Sequence, residues 1–229
     1  YKGTISRVEP SLEAAFVNFG RSRHGFLPFK EISPDLFTPG KQKSSRDCIE
    51  SGKEIVVQID KEERGSKGAA LSTYLSLAGK YLVLLPKNPN TGGVSRRLEG
   101  NDRLVAKKLL SEMNIPDGMS VILRTSGLDT NKETLEWDMN YLIQIYESIL
   151  ENSVLKKAPF LIYQESSMLA RVIRDYIDDT INEVIIDDDK FYEDFMNAKE
   201  HFIPHSKVKV EHYKKSVPIF SNFGVETQV

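Results

Sequence analysis

Residues 121–127, Val-Ile-Leu-Arg-Thr-Ser-Gly, could bind a phosphate group at the point where an apolar strand ends. The apolar run predicts a buried strand, and Gly127 predicts a tight turn at its tip. Arg124 would supply charge and planar, bidentate hydrogen bonding, and the Thr125 hydroxyl would supply a further donor. Most arginines at strand ends simply face water, so the hypothesis depends on what other elements bring to the same place.

A second arginine follows a turn earlier in the chain. The sequence Asn-Pro-Asn-Thr-Gly-Gly at residues 88–93 predicts a turn, and Arg96 and Arg97 come shortly after it. An exposed pair is the simplest interpretation of two adjacent arginines. Beside Arg124 the pair becomes more informative, because a terminal phosphate carries about one and a half to two negative charges and accepts several hydrogen bonds.

Strands and helices must position these arginines. Strands are predicted at residues 81–85 and 119–124, and a helix at residues 100–113. A longer helix is predicted after Thr130 and Glu133, which have the spacing of a capping box. Its apolar residues recur at helical spacing and are predicted to be core rather than a cofactor site: Leu135, Met139, Leu142, Tyr146 and Ile149.

The first third of the chain indicates a different chemistry. Aromatic rings stack unpaired bases, and basic side chains around them attract backbone phosphates. The residues that could act in this way are Phe16, Phe26, Lys2, His24, Lys61 and Lys67. The alternative, which composition favours, is that both phenylalanines are core residues of a small domain. The two later lysines lie in the polar residues 60–68 and are expected in an exposed hairpin.

The elements around these rings are predicted to be short strands. They are expected at residues 2–8, 12–19, 24–29, 54–60 and 69–77. Glycines and charged turns separate them. Many short strands separated in this way predict a small antiparallel barrel within residues 1–73.

Residues 159–229 alternate between predicted strands and helices. Strands are expected at residues 160–163, 183–187 and 208–212, and helices at residues 167–177 and 189–198. One side of the first of these helices is expected to carry Leu169, Val172, Ile173 and Tyr176. The alternation predicts an α/β unit with a partly parallel sheet.

Carboxylates cluster in this last part and could hold Mg²⁺. They are Asp178, Asp179, Asp187, Asp188 and Asp189. We favour a structural interpretation, in which Asp189 is a helix N-cap and the others lie in turns. The histidines form no convincing ligand set, since Pro204 interrupts the helix that would pair His201 with His205.

Length and composition limit the classes of protein to which the chain can belong. With 229 residues, 40% of them hydrophobic, the chain can form a core and more than one compact unit. The single cysteine, Cys48, excludes an internal disulfide and a cysteine-cluster zinc site. The chain has no initiator Met, signal peptide or apolar stretch of spanning length, which predicts a soluble fragment.

Charge is spread unevenly. Residues 1–132 carry 21 Lys and Arg against 15 Asp and Glu, whereas residues 133–229 carry 10 against 18. The asymmetry fits either solvated surfaces or a first half that binds a polyanion.

Several stretches resemble the bacterial ribonuclease E/G family. Those that resemble its S1-type RNA-binding module are Tyr1-Lys2-Gly3 and residues 11–17, 23–28 and 58–71. Residues 93–100 and 123–127 resemble its 5′-sensor domain. The resemblance runs the length of the chain and is closer to the ribonuclease E branch than to the ribonuclease G branch.

The resemblance implies an α+β multidomain fold. Its parts would be an S1-type OB-fold β-barrel (residues 1–73), an α+β 5′-sensor domain (74–165) and part of an α/β RNase H-like subdomain (166–229). The residues that would bind single-stranded RNA are Phe16, Phe26, Lys61 and Lys67, joined by Lys2 and His24. Those that would bind a 5′ monophosphate and its nucleotide are Arg124, Thr125, Arg96 and the backbone around Val83.

The same resemblance implies an endoribonuclease that acts in RNA processing and decay. The family's magnesium-binding catalytic aspartates lie in a DNase I-like domain beyond Val229, and its zinc-linking cysteines lie further still. We therefore expect this chain to hold no catalytic residue, metal or cofactor of its own, and to bind RNA without cleaving it. Mg²⁺ and Zn²⁺ are implied only for the full-length protein.

The implied partner is single-stranded RNA with a 5′ monophosphate. A homotetramer is implied for the full-length protein only, in the bacterial cytoplasm and with an inner-membrane association left open. Two alternatives remain: a ribonuclease G paralogue, or a non-catalytic S1-type module that binds RNA or assists translation. Such a module would have no use for Arg96 and Arg124 on a second domain.

Overall fold

Alternating burial along the first strands produces a curled sheet with one face in a core. The computed structural model describes residues 1–41, 48–88, 91–164, 168–177, 180–203 and 206–228. The strands of this sheet are β1 (Lys2–Glu9), β2 (Ala14–Asn18), β3 (Gly25–Pro28), β4 (Glu54–Val56), β5 (Gln58–Lys61) and β6 (Ala70–Ser72). Their order is β4-β1-β2-β3-β6-β5, and every neighbouring pair is antiparallel except β3 and β6.

Two of the predicted strands are divided. Residues 54–60 form β4, which pairs with β1, and β5, which pairs with β6. Between the two strands, Val57 exchanges backbone hydrogen bonds of 2.8 Å with Tyr1. Residues 69–77 were predicted as one strand, but β6 ends at Ser72 and Leu77 begins a strand of a different sheet. The core of the first sheet includes Ile5, Val17, Leu27, Ile55 and Leu71.

A second sheet carries the arginines singled out above. Its strands are β7 (Leu77–Ala78), β8 (Leu82–Pro86), β9 (Gly93–Val94) and β10 (Met119–Leu123), in the order β7-β8-β10-β9. The helices α1 (Gly100–Ser111) and α2 (Lys132–Leu155) belong to the same part of the chain. The predicted stripe of α2 is confirmed, since all five residues are buried in one core with the sheet.

The start of α2 differs from the prediction. The N-cap is Asn131, whose side-chain oxygen accepts a hydrogen bond of 2.8 Å from the Thr134 amide. Thr130 instead donates from its hydroxyl to the Gly127 carbonyl at 2.7 Å. The capping box of Thr130 and Glu133 is therefore wrong, because the neighbouring asparagine takes the capping position.

Contacts divide the chain into two units, Tyr1–Gln164 and Glu165–Val229. The second unit contains α3 (Met168–Tyr176), β11 (Glu183–Ile186), α4 (Asp189–Phe202), β12 (Lys209–His212) and α5 (Ile219–Asn222). β11 and β12 pair in parallel, as the alternation predicted. The α+β multidomain architecture is confirmed, whereas the boundaries of three separate domains stay a prediction.

Other expectations for residues 159–229 need correction. Residues 160–163 form no strand, and Phe160 makes only an isolated bridge to Lys2. On α3, Ile173 is buried, but Val172 and Tyr176 are 36% and 72% exposed. The N-cap of α4 is Asp188 rather than Asp189, since the Asp188 carboxylate accepts the Phe191 amide at 2.7 Å. Of the helices in the described ranges, none combines the length and apolar character that a membrane span requires.

Candidate nucleic-acid interface

Phe16 and Phe26 lie on the outer face of the first sheet. Ala15 and Val17 are buried on either side of Phe16, so the ring between them points away from the core. Phe26 is related in the same way to buried neighbours on β3. The two residues are cross-strand partners whose ring centroids lie 5.9 Å apart at an interplanar angle of 70°. Both rings are half-buried, and neither belongs to the barrel core.

The basic residues lie beside this aromatic pair. Lys61 pairs with Ala70, and Ala70 pairs with Phe26, so an exposed ammonium stands in the same cross-sheet row as the rings. Lys67 is exposed on the β5–β6 hairpin, where it exchanges two backbone hydrogen bonds of 3.1 Å with Arg64. Both lysines are therefore exposed. Lys61 lies in the same row as the aromatic pair, and Lys67 lies on the adjoining hairpin.

His24 joins the ring pair to that hairpin. Its Nδ1 lies 2.9 Å from the Ser6 hydroxyl, which donates to the Phe16 carbonyl at 3.0 Å. On the other side, a Cβ added to Gly68 would lie 2.5 Å from the His24 carbonyl oxygen. The hairpin backbone therefore packs directly against His24. The exposed His24 imidazole is thus linked through Ser6 to the Phe16 backbone, and the His24 carbonyl packs against the hairpin that carries Lys67.

Lys2 is placed differently from the other predicted RNA contacts. Its ammonium pairs with Glu54 at 2.7 Å and donates to the Lys156 carbonyl at 3.0 Å, and its side chain is only 15% exposed. The hydrogen bond from Lys2 holds the pKa of Glu54 below its ordinary value. These contacts fasten β1 to β4 and to the segment after α2. Lys2 therefore stabilises the fold through these contacts, and its predicted contact with RNA stays a prediction.

The second sheet brings the predicted phosphate-binding residues to one edge. β9 and β10 run parallel with Val94 beside Leu123, and the Ser95 amide donates to the Leu123 carbonyl at 2.9 Å. Because both strands end at this edge, Arg96 follows β9 as Thr125 follows β10. Arg96 and Thr125 are exposed.

Arg124 is half-buried and bonded to the turn between β7 and β8. Its Nη1 donates to the Gly79 carbonyl, and its amide donates to the Tyr81 carbonyl at 2.8 Å. The Ser126 hydroxyl donates to the Lys80 carbonyl at 2.6 Å. Arg124 and Ser126 therefore donate hydrogen bonds to three consecutive carbonyls of this turn, those of residues 79, 80 and 81.

Asp138, which the sequence interpretation missed, supports this turn from inside. Its carboxylate is 2% exposed and accepts the amides of Lys80 at 3.1 Å, Tyr81 at 2.9 Å and Leu82 at 2.9 Å. A Cβ on Gly79 would lie 2.5 Å from the same carboxylate. Burial raises the pKa of Asp138, and the three amides and the Arg124 guanidinium oppose that rise.

A signal for Asp138 is present in the sequence. It stands three residues after Leu135 and four before Leu142, so it shares the buried side of α2 with the apolar stripe. A charged residue at a core position needs hydrogen-bonding partners, because an unpaired buried charge is strongly disfavoured. The pattern therefore predicts a buried polar contact at Asp138 without showing which groups provide it.

Val83 lies on β8, which is a neighbour of β10, and Arg124 directly follows β10. Val83 pairs with Ile122, and both are half-buried on the sheet face opposite the core residues Leu82 and Leu84. It is two residues from Tyr81, whose carbonyl accepts the Arg124 amide. The structure thus gathers Arg124, Thr125, Arg96 and Val83 at one end of the second sheet.

The acidic residues of the second unit have other contacts. Asp189 lies 2.9 Å from His212 Nε2 and 3.5 Å from Lys214 Nζ, and Asp188 caps α4. Within the described ranges, no three His, Cys, Asp or Glu side chains are arranged to hold a metal ion. Asp178, Asp179 and His205 lie outside the described residues.

Comparison with known proteins covers both parts of the chain. The S1 RNA binding domain matches residues 1–74, and the Ribonuclease E/G family matches residues 76–229. Ribonuclease E of Haemophilus influenzae is 48% identical over 236 residues, which cover 100% of this chain and 25% of that protein. Ribonuclease E of Escherichia coli is 45% identical over 237 residues, covering 100% of this chain and 22% of that protein.

Ribonuclease G of Salmonella typhimurium is also similar, at 32% identity over 237 residues, covering 100% of this chain and 48% of that protein. The chain therefore spans about a quarter of the length of the two ribonuclease E relatives.

Proposed function

The chain belongs to the ribonuclease E/G family, and on this premise we propose that it is the RNA-recognition part of a ribonuclease E-like endoribonuclease. The outer face of the S1 barrel binds single-stranded RNA through stacking on Phe16 and Phe26. The end of the second sheet binds the 5′ monophosphate of the same class of RNA. This chain recognises the substrate and breaks no bond.

The observation that carries the proposal is the meeting of two arginine segments at one sheet edge. Because β9 and β10 pair in parallel, Arg96 follows one strand and Arg124 and Thr125 follow the other at the same end of the sheet. Two guanidinium groups and a hydroxyl match a terminal phosphate, which carries about one and a half to two negative charges and offers several acceptor oxygens. A 5′ hydroxyl lacks this charge. A triphosphate adds bulk and charge beyond the single phosphate group that this edge would bind.

The barrel contributes affinity that does not depend on the 5′ end. Half-buried rings outside the core, flanked by exposed lysines, suit base stacking with phosphate contacts, in which the ring face tolerates any base. The ribonuclease E relatives are 45–48% identical to this chain and the ribonuclease G relative 32%, which favours the ribonuclease E branch.

Phosphodiester hydrolysis, Mg²⁺, Zn²⁺, the tetramer and the cytoplasmic location are proposals for the whole protein. Among the described residues of this chain, no group of three or more His, Cys, Asp or Glu side chains could hold a metal ion.

The test compares one short single-stranded RNA with three 5′ ends: monophosphate, hydroxyl and triphosphate. We expect the monophosphate form to bind most tightly, and Arg124→Ala to remove that preference while leaving binding of the hydroxyl form unchanged. The matched control is Arg171→Ala, which removes an exposed arginine of the second unit. This variant should bind the three RNAs as the unmodified chain does. Equal affinity for all three ends would refute the sensor assignment.

A further inference from the structure

One row of cross-strand neighbours crosses five strands of the barrel sheet. Arg7 on β1 pairs with Phe16, Phe16 pairs with Phe26, and Phe26 pairs with Ala70, which pairs with Lys61 on β5. Directly paired residues lie on the same face of a sheet. The row therefore places the two rings between an arginine at one end and a lysine at the other.

Both ends of the row are set by irregularities in strand pairing. The β1–β2 register shifts between Ile5 and Arg7, and the β5–β6 register shifts between Ile59 and Lys61. Bulges of this kind redirect side chains, and here they leave both basic residues exposed. With neighbouring strands about 4.8 Å apart, the row from Arg7 to Lys61 is about 19 Å long. That length suits the lower end of the roughly 4–16 nucleotides that an OB-fold covers.

The Arg7 guanidinium already lies over an aromatic ring. Its Cζ is 4.9 Å from the centroid of Phe16, and its side chain is 64% exposed. A guanidinium in this position can keep its contact with the ring, because the ring attracts cations through its face. It can also donate to a phosphate at its rim, and its plane can stack on a base.

We propose that Arg7 is a further RNA-binding residue, which contacts the RNA backbone at the β1 end of the aromatic row. The RNA strand then crosses the sheet between Lys61 and Arg7 and stacks bases on Phe26 and Phe16. This proposal rests on the proposed function of the barrel, and it assigns a residue to which the sequence interpretation gave no role.

The neighbouring Glu9 offers a competing explanation for the position of Arg7. Arg7 Nε lies 3.0 Å from a Glu9 carboxylate oxygen. An exposed ion pair contributes little, so it does not commit the guanidinium to Glu9 when a phosphate is available. If Arg7 binds RNA, Glu9 competes with the phosphate and repels it, and its neutralisation should strengthen binding.

The experiment measures the affinity of one 5′-hydroxyl RNA at several salt concentrations, so that the 5′-phosphate site does not contribute. Arg7→Ala should weaken binding about tenfold, because a hydrogen bond to a charged group is lost. It should also reduce the slope of log affinity against log salt by about 0.7, the value for one phosphate contact on a single strand. Arg7→Lys should keep the slope while losing part of the affinity, and Glu9→Gln should strengthen binding.

Two comparisons separate failure of this proposal from failure of the proposed function. If Phe16→Ala weakens binding but Arg7→Ala changes neither affinity nor slope, the inference about Arg7 is wrong and the barrel function stands. If neither variant affects binding, the proposed barrel function is wrong as well. Arg171→Ala should leave the slope unchanged, and an equal loss in this control would show a general charge effect and would overturn the specific role of Arg7.

Discussion

The guanidinium of Arg124 donates a hydrogen bond to the carbonyl oxygen of Gly79. The next three amides of the chain, from Lys80 to Leu82, donate to the buried Asp138 carboxylate. The arginine and the aspartate therefore hold the same turn from opposite sides, and the Arg124 guanidinium contributes to the electrostatic environment of Asp138. The orientation of Arg124, the proposed phosphate-binding residue, therefore depends on Asp138, although Asp138 is buried and does not contact the phosphate in this proposal.

Removing the acceptor at Asp138 should destabilise the first unit. Asp138→Leu replaces the carboxylate by a larger apolar side chain that cannot accept the three backbone amides. We therefore expect the free energy of unfolding to fall by at least about 3 kcal/mol. Fluorescence of Trp137, the only tryptophan, reports unfolding from the preceding residue of α2. The loosened turn should also reduce the preference for a 5′ monophosphate.

The control for this variant is Asp129→Leu, at an exposed aspartate of the loop before α2. It should leave both the fluorescence transition and the 5′ preference unchanged. Unchanged stability in Asp138→Leu would mean that the turn does not depend on the carboxylate.

Arg96 and its neighbour provide a matched pair of variants. Both Arg96 and Arg97 are exposed, so either alanine substitution removes one charge with little effect on folding. We expect Arg96→Ala to reduce the ratio of affinities for monophosphate and hydroxyl RNA by about tenfold, since one charge-assisted hydrogen bond is lost. Arg97→Ala should leave the ratio within about twofold of the unmodified chain. Equal effects of the two variants would indicate general charge attraction instead of a defined contact.

Phe16 should matter for binding and little for stability. Its ring lies outside the core, so Phe16→Ala should weaken single-stranded RNA binding by about 1–3 kcal/mol. The loss of its edge contact with Phe26 should lower the free energy of unfolding by only about 1 kcal/mol. Binding titrations and thermal unfolding of the same preparation measure the two quantities.

Phe19 is the contrasting phenylalanine, because it is 1% exposed and belongs to the barrel core. Phe19→Ala should lower the free energy of unfolding by about 3–5 kcal/mol. The assignment of Phe16 to the RNA-binding face would be wrong if Phe16→Ala produced the same large loss of stability with no change in affinity.

The spacing of apolar residues along the sequence predicted which side of the helix α2 is buried, but it did not do so for α3. The α2 stripe from Leu135 to Ile149 is buried because residues three and four apart share one side of a helix. The same rule misjudged α3, where Val172 and Tyr176 have the right spacing but are exposed. Burial depends on what packs against a helix, and spacing alone does not supply that information.

Contacts between distant segments could not be predicted from such patterns. The Asp138 carboxylate meets amides 56–58 residues away in sequence, and only the fold shows that they converge. The row that includes Arg7 likewise depends on two shifts of strand register, which the alternation of residue types does not reveal. Residue types identified Arg124 and Phe16 as candidates, and strand pairing determined their neighbours.

Gly68 marks a close approach between the β5–β6 hairpin and the loop that carries His24. A Cβ at this position would lie 2.5 Å from the His24 carbonyl oxygen, which is backbone and cannot rotate away. Gly68→Ala should therefore separate the hairpin from the loop at a cost of about 1–3 kcal/mol, the range for overpacking. Since Lys67 and His24 lie on the two separated segments, affinity for single-stranded RNA should fall together with thermal stability.

Ser66→Ala is the matched control, at an exposed position of the same hairpin, and should change neither quantity. Thermal unfolding followed by circular dichroism and binding of a 5′-hydroxyl RNA measure both effects in one preparation. If Gly68→Ala lowered stability but left affinity unchanged, the hairpin would contribute to the fold only, and Lys67 would have no part in RNA binding. If it lowered neither, the loop and hairpin would have enough freedom to accept the extra methyl group, and their close packing would not be required for binding.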